Sequence, residues 1–206
     1  MGKDIGPKYK LSRQFGEKLD DAESSKNPVV KRPYPPGQHG PKKMRRVSEY
    51  GQQLREKQKA KKLYGMREKQ FRNYFKKAKK MKGAAGENLV ALLETRLDNV
   101  LFRLGFSKTR RSARQAINHG HVRVNNKKVT IPSYHVKIGE MISIRPKSLQ
   151  KILFKDVPKS ISKKNLPSWL FTTDKAKLQS KVASLPAKEE LEQGFDTSMI
   201  IEFYSR

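Results

Sequence analysis

The chain has 206 residues, with 47 Lys and Arg against 19 Asp and Glu, a formal net charge of +28. Self-repulsion on that scale calls for a polyanionic partner, and a mean hydropathy of -0.84 with no long apolar run excludes a spanning helix. Cysteine is absent, which excludes disulfides and thiolate metal sites, and the four His are scattered among basic residues, so neither a metal nor a cofactor is expected.

Residues 1–46 lack sustained periodicity and hold Pro7, Pro28, Pro33, Pro35, Pro36, Gly37, Gly40 and Pro41. Each Pro denies its neighbour the helical region, so an extended basic arm is expected. Two readings of it stand, a disordered tail and an arm that orders against nucleic acid with Tyr34 and His39 between cations, of which the second is preferred. The early acids Asp4, Glu17, Asp20, Asp21 and Glu23 argue against an organelle transit peptide, so the expected location is the cytoplasm.

From Val47 the pattern becomes helical. Ser48 caps a helix running to Tyr64, and a second helix from about Arg67 to Met81 carries Phe71, Tyr74, Phe75 and Ala78 at core spacing. Glu87 to Leu104 gives the clearest amphipathic stripe: Leu89, Leu93, Leu97, Val100, Leu101 and Leu104.

Residues 91–177 read as an RNA-binding domain. Ser107 or Thr109 caps a short helix to about Asn118, with Ala113, Ala116 and Ile117 on one side. Arg110, Arg111, Arg114, Gln115 and Asn118 fall on the other and are expected to stand in solvent as a fork-shaped donor array. Gly120 supplies the left-handed residue beyond the helix end. A hairpin follows, with Val122 and Val124 inward, Arg123 outward and an Asn125-Asn126 turn; strands Lys128 to Ile131 and Met141 to Arg145 complete a small sheet. Lys147 to Lys164 reads as a basic link, Trp169 as a core plug, Ala187 to Gln193 as helical and Met199 to Tyr204 as a terminal strand.

Leu93-Glu-Thr-Arg-Leu-Asp-Asn-Val-Leu, Arg103-Leu-Gly-Phe106, Arg111-Ser-Ala-Arg-Gln115 and Gly120-His-Val-Arg-Val-Asn125 resemble the αL-type RNA-binding module named after the fourth small-subunit ribosomal protein. Leu11-Ser-Arg13, Pro36-Gly-Gln-His-Gly40, Tyr50-Gly-Gln-Gln-Leu-Arg-Glu-Lys-Gln58, Gln70-Phe-Arg-Asn-Tyr74, Pro167-Ser-Trp-Leu170 and Ile200-Ile-Glu-Phe-Tyr-Ser205 extend the similarity to the bacterial-type family of that protein. The resemblance implies an α+β fold: a mainly helical domain over residues 47–90, completed by residues 178–206, with the module, helices on a small antiparallel sheet, inserted into it. It implies primary binding to the 5′ domain of small-subunit rRNA, nucleation of subunit assembly and an influence on translational accuracy. It also implies a place beside the third and fifth small-subunit proteins, at the channel through which mRNA enters, with Lys43 and Arg46 at channel positions. Neither homo-oligomerisation nor membrane association is expected. Many members hold zinc through four cysteines in the arm; this sequence resembles the cysteine-free form.

The residues expected to contact rRNA are Lys8, Lys10, Arg13, Gln38 and His39 in the arm. In the helical domain they are Tyr50, Gln53, Arg55, Lys57, Lys59, Lys62, Arg67, Arg72, Lys76 and Lys80. In the module they are Arg96, Lys108, Arg110, Arg111, Arg114, Gln115, His119, His121 and Arg123. An enzyme using the same module would need a catalytic domain for which the remaining residues are too few and too basic. A stand-alone RNA regulator is a third reading, compatible with the first.

Overall fold

The computed structural model describes residues 7–19, 27–41, 46–155, 157, 166–174, 176–186 and 194–206. The chain divides into two compact units, Met1–Leu89 with Gln193–Arg206, and Val90–Glu192.

The first unit is helical. Its elements are α1 (Lys8–Phe15), α2 (Pro28–Lys31), α3 (Glu49–Leu63), α4 (Glu68–Lys80), the start of α5 (Ala85–Glu94), and α10 (Thr197–Ser205). Ser48 caps α3, its hydroxyl accepting from the Gly51 amide at 3.3 Å. On α4, Phe71, Tyr74, Phe75 and Ala78 turn inward and are buried, as their spacing demands. Tyr204 of α10 stacks on Phe75 with ring centroids 4.7 Å apart and donates to Glu68 Oε1 at 2.8 Å.

Three expectations are corrected here. The C-terminal segment is a helix, not a strand: the Asp196 carboxylate caps it by accepting from the Ser198 amide at 2.8 Å. Ile200 and Tyr204, one helical turn apart, then meet α3 and α4. The arm is not extended throughout. Lys8–Phe15 is helical, and Phe15 is buried, its carbonyl accepting from Arg55 Nη2 at 2.6 Å. The segment completing the helical unit starts at Gln193 rather than 178, because residues 179–182 pair into the sheet of the other unit.

That second unit continues α5 and adds α6 (Leu97–Arg103), α7 (Arg110–Asn118), β1 (Val122–Val124), β2 (Lys127–Lys128), β3 (Met141–Ile144), α8 (Pro146–Leu149), α9 (Ile152–Lys155), β4 (Leu170–Asp174) and β5 (Gln179–Val182). The strands form one antiparallel sheet in the order β2-β1-β3-β5-β4. Val122, Val124, Ile142 and Ile144 meet Leu97, Leu101, Ala113, Ile117 and the buried Trp169 in a single core. Asn125 and Asn126 both take positive φ, 49° and 64°, the geometry of a two-residue hairpin turn. Only the first half of the sheet was expected; β4 begins beside Trp169, read as a core plug, and β5 falls in the segment expected to complete the helical domain. The predicted strand Lys128 to Ile131 is also shorter, ending at Lys128.

The stripe expected as one helix from Glu87 to Leu104 is two. The chain is extended at Arg96, with ψ 137°, and forms an isolated bridge with His135. The loop before β3 supplies the partners that an unbroken helix would have supplied internally. Leu97 donates to the Tyr134 carbonyl at 2.8 Å, Asp98 to Pro132 at 3.1 Å, and the Thr95 carbonyl accepts from Val136 at 3.0 Å. Ala187 to Gln193 and most of the link after Lys155 lie outside the described residues.

Candidate nucleic-acid interface

The break at Arg96 builds an internal polar cluster. Asp98, 2% exposed, accepts from Arg96 Nε at 3.0 Å and Nη2 at 2.7 Å, and from Arg114 Nε at 2.9 Å. Glu94 accepts from Arg103 at 2.9 and 3.0 Å and from Asn99 Nδ2 at 2.7 Å. Asn99 Oδ1 in turn accepts from Arg110 Nε at 2.8 Å, and the Arg110 guanidinium lies 4.4 Å from the centroid of the Phe102 ring. A buried charge must be paired and hydrogen-bonded, and these are.

The expected five-residue donor array on α7 is therefore split. Arg110 and Arg114, 7% and 8% exposed, turn into the cluster and fix α7 against α6. Arg111, Gln115 and Asn118 stay on the exposed side. Arg96 is likewise interior, 1% exposed. Thr109 caps α7, accepting from Ser112 at 3.1 Å. At the other end Gly120 donates to Ile117 at 2.8 Å and His121 to Ala116 at 3.0 Å, the paired bonds of a glycine stop. Gly120 has φ +70°, and a β-carbon there would overlap the Lys128 side chain.

This stop brings a second basic group together. Lys108 and His119 are exposed, His121 and Arg123 half-buried. Arg123 pairs directly across from Lys128, two like charges in one cross-strand position, which costs stability unless an anion lies over them. Arg145 donates its backbone amide to the His121 carbonyl at 2.8 Å, and Lys147 and Lys151 flank Ser148, whose Oγ is 2.9 Å from His121 Nδ1. Arg145, read as the end of a strand, and Lys147 and Lys151, read as part of a link, were not among the residues expected to contact RNA; the Arg145-Pro146-Lys147 sequence closing a strand was the available signal.

In the helical unit the outward face of α4 is densely cationic. Lys69, Arg72, Lys76, Lys77, Lys79 and Lys80 are exposed opposite the buried aromatics, with Arg67 before the helix and Lys82 after it. Glu68, the helix's single acid, accepts from Lys57 and Lys61, each at 3.0 Å. Burial alone would raise its pKa; the hydrogen bonds from Lys57, Lys61 and Tyr204 outweigh that and lower it.

Several α3 residues expected to face RNA turn inward instead. Lys57 is buried between Glu68 and the Phe203 ring, 4.2 Å from its centroid. Lys59 is buried against Glu17 at 2.6 Å, and Gln53 donates to Glu202 at 2.9 Å. Arg55 and Lys62 are half-buried, and Tyr50 is half-exposed beside Phe203. In the arm, Lys10, Gln38 and His39 are exposed. Arg13 donates to the Tyr34 and Pro35 carbonyls at 3.1 and 3.2 Å and covers the Tyr34 ring, so this flat face is closed. Arg46 is exposed; the side chain of Lys8 and all of Lys43 lie outside the described residues. Among the described residues no three of His, Asp and Glu gather into a set able to hold a metal, and no helix is long and apolar enough to cross a membrane.

Comparison with known proteins agrees with the division of the chain. Residues 3–94 match the family model for the ribosomal protein S4/S9 N-terminal domain, and residues 95–142 match that for the S4 domain. A protein of Roseiflexus castenholzii called small ribosomal subunit protein uS4 is 47% identical over 209 residues, covering all of both chains. Proteins of the same name from Caldicellulosiruptor saccharolyticus and Lysinibacillus sphaericus are each 47% identical, again over the full length of both chains. With two family models matching in sequence order and full-length similarity of this degree, the chain belongs to the uS4 family of small ribosomal subunit proteins.

Proposed function

We propose that this protein binds small-subunit rRNA as a structural component of the cytoplasmic ribosome, holding RNA helices at fixed angles. The observation that carries this reading is the segregation of charge on α4. Six cations project from a rigid helix whose other face is anchored by Phe71, Tyr74 and Phe75, and whose one acid is neutralised from within. A rigid cationic surface recognises the shape and phosphates of folded RNA, and displacement of counterions supplies affinity. The basic group at the α7 stop and hairpin gives a second grip.

The finer roles in this proposal are early binding to the rRNA 5′ domain that nucleates assembly, and a position beside the third and fifth small-subunit proteins. Exposed Arg46, with Lys43, would face incoming mRNA, and the contact with the fifth protein would influence decoding accuracy. The chain acts in this as one copy per subunit.

The test compares the protein with its Lys76→Glu/Lys80→Glu variant on a transcript of the rRNA 5′ domain. Each lost phosphate contact should reduce the slope of log affinity against log salt by roughly 0.7 to 0.9, with unchanged melting temperature. Equal affinity for duplex DNA and the transcript would overturn shape recognition. An unchanged salt slope would remove α4 from the interface.

A further inference from the structure

The group around His121 holds more than cations. We propose that it is a phosphate subsite for RNA, which binds a backbone phosphate through His121 and takes up a proton on that imidazole as the RNA docks. The proposal rests on the RNA-binding reading above and specifies one point of it.

The glycine stop of α7 turns the chain so that His121 leaves the helix axis. Its Nδ1 lies 2.9 Å from the hydroxyl of Ser148, itself buried, which fixes the ring plane from one side. The buried Phe154 ring meets it edge-on, centroids 5.9 Å apart, and closes a second side. His119 stands 6.0 Å away across the stop. The imidazole is thus held at one nitrogen and packed on one edge, which leaves Nε2 as the ring nitrogen to meet an incoming group.

The groups acting on this ring from the described elements are Lys151 between α8 and α9, His119 at the end of α7, and Arg145 before α8, each of which opposes its protonation. Lys147 on α8 and Lys128 on β2, whose side chain lies against Gly120, add positive charge. In the free protein the proton is disfavoured: burial first, then Lys151, His119 and Arg145, hold the ring's pKa below the ordinary histidine value. A phosphate among these cations reverses the field. It neutralises the groups that repelled the proton and accepts a hydrogen bond from a protonated Nε2. RNA and proton then favour one another, and by linkage affinity rises as pH falls from the bound pKa toward the free one, levelling below it. Each unit of separation between the two is worth at most about a tenfold gain.

The experiment measures binding of the full-length protein and of His121→Gln to the 5′-domain transcript between about pH 6 and about pH 7.5. The expected result is a several-fold rise in native affinity on acidification, flattened in the variant, with the two alike near the upper pH. An equal pH dependence in both overturns the subsite. A native protein that does not prefer the transcript over duplex DNA at any pH overturns the RNA-binding reading instead, and the subsite with it. Should the variant misfold, the His121 ring-proton NMR titration of the native protein decides the matter: a midpoint higher with RNA than without supports proton uptake, and an unmoved midpoint refutes it.

Discussion

Replacing Asp98 with Ala tests whether the arginines of α7 serve the fold or the RNA. The carboxylate faces two guanidiniums: Oδ1 and Oδ2 accept from Arg96 at 3.0 and 2.7 Å, and Oδ2 accepts from Arg114 at 2.9 Å. Its loss leaves two cations, 1% and 8% exposed, without their shared counter-charge. Removing one partner of a buried pair costs about 3 to 5 kcal/mol, against a total stability of roughly 5 to 15 kcal/mol. At about 4 to 8 °C per kcal/mol for a domain of this size, the lower figure alone lowers the melting temperature by roughly 12 to 24 °C. Thermal unfolding followed by circular dichroism reads this directly. Arg114→Met should also destabilise, and Asp98→Ala/Arg114→Met should lose less than the sum of the singles, by at least about 1 kcal/mol. Exposed Arg111→Ala should leave the melt within about 0.5 kcal/mol and lower RNA affinity alone. A loss below about 1 kcal/mol for Asp98→Ala, or equal melting effects of Arg111 and Arg114 replacement, would refute the assignment of Arg114 to the interior.

Two further outcomes follow from single positions. Glu68 has its pKa lowered below 4.5 in the fold by Lys57, Lys61 and Tyr204 despite burial, so its ionised form contributes stability above 4.5 that is lost as pH falls through the folded value. Glu68→Gln should therefore melt lower than the native protein at neutral pH and converge with it on acidification, checked by melts across that range. Gly120→Ala places a side chain at φ +70° and against Lys128; it should cost about 1 to 2 kcal/mol in a denaturant titration and weaken RNA binding by displacing that lysine.

What was legible in the sequence was what neighbouring residues decide. The caps at Ser48 and Thr109, the inward face of α4, the glycine stop at Gly120 and the Asn125-Asn126 turn each depend on a few adjacent positions, and each stands where the pattern put it. The split at Arg96 depends on carbonyls from Pro132 and Tyr134, far along the chain, and no local pattern carries that information. The same holds for Arg110 and Arg114, whose partners Asn99 and Asp98 lie on another helix, and for Lys57 and Lys59, taken inward by Glu68 and Glu17. The terminal helix failed for a different reason. Ile200 and Ile201 favour strands intrinsically, but the Asp196 cap and the packing of Tyr204 on Phe75 outweigh that preference.

The errors share a direction that bears on function. A strongly basic chain invites every cation to be assigned to the partner, yet several of its acids hold cations that would otherwise face solvent. Asp98 takes Arg96 and Arg114, Glu94 takes Arg103, Glu68 takes Lys57 and Lys61, and Glu17 takes Lys59. Internal neutralisation of this kind does two things at once. It fixes α7 on α6 and α4 on α3 with directional bonds that the modest apolar content alone would not specify. It also ties up the one acid of α4, so the exposed side of that helix presents cations, as does the ground around His121. Acids placed on those faces would have eased the self-repulsion of the free protein and weakened its hold on phosphate by the same Coulomb term. The ion pairs therefore shape the surface proposed to bind RNA, although none of their members needs to touch it.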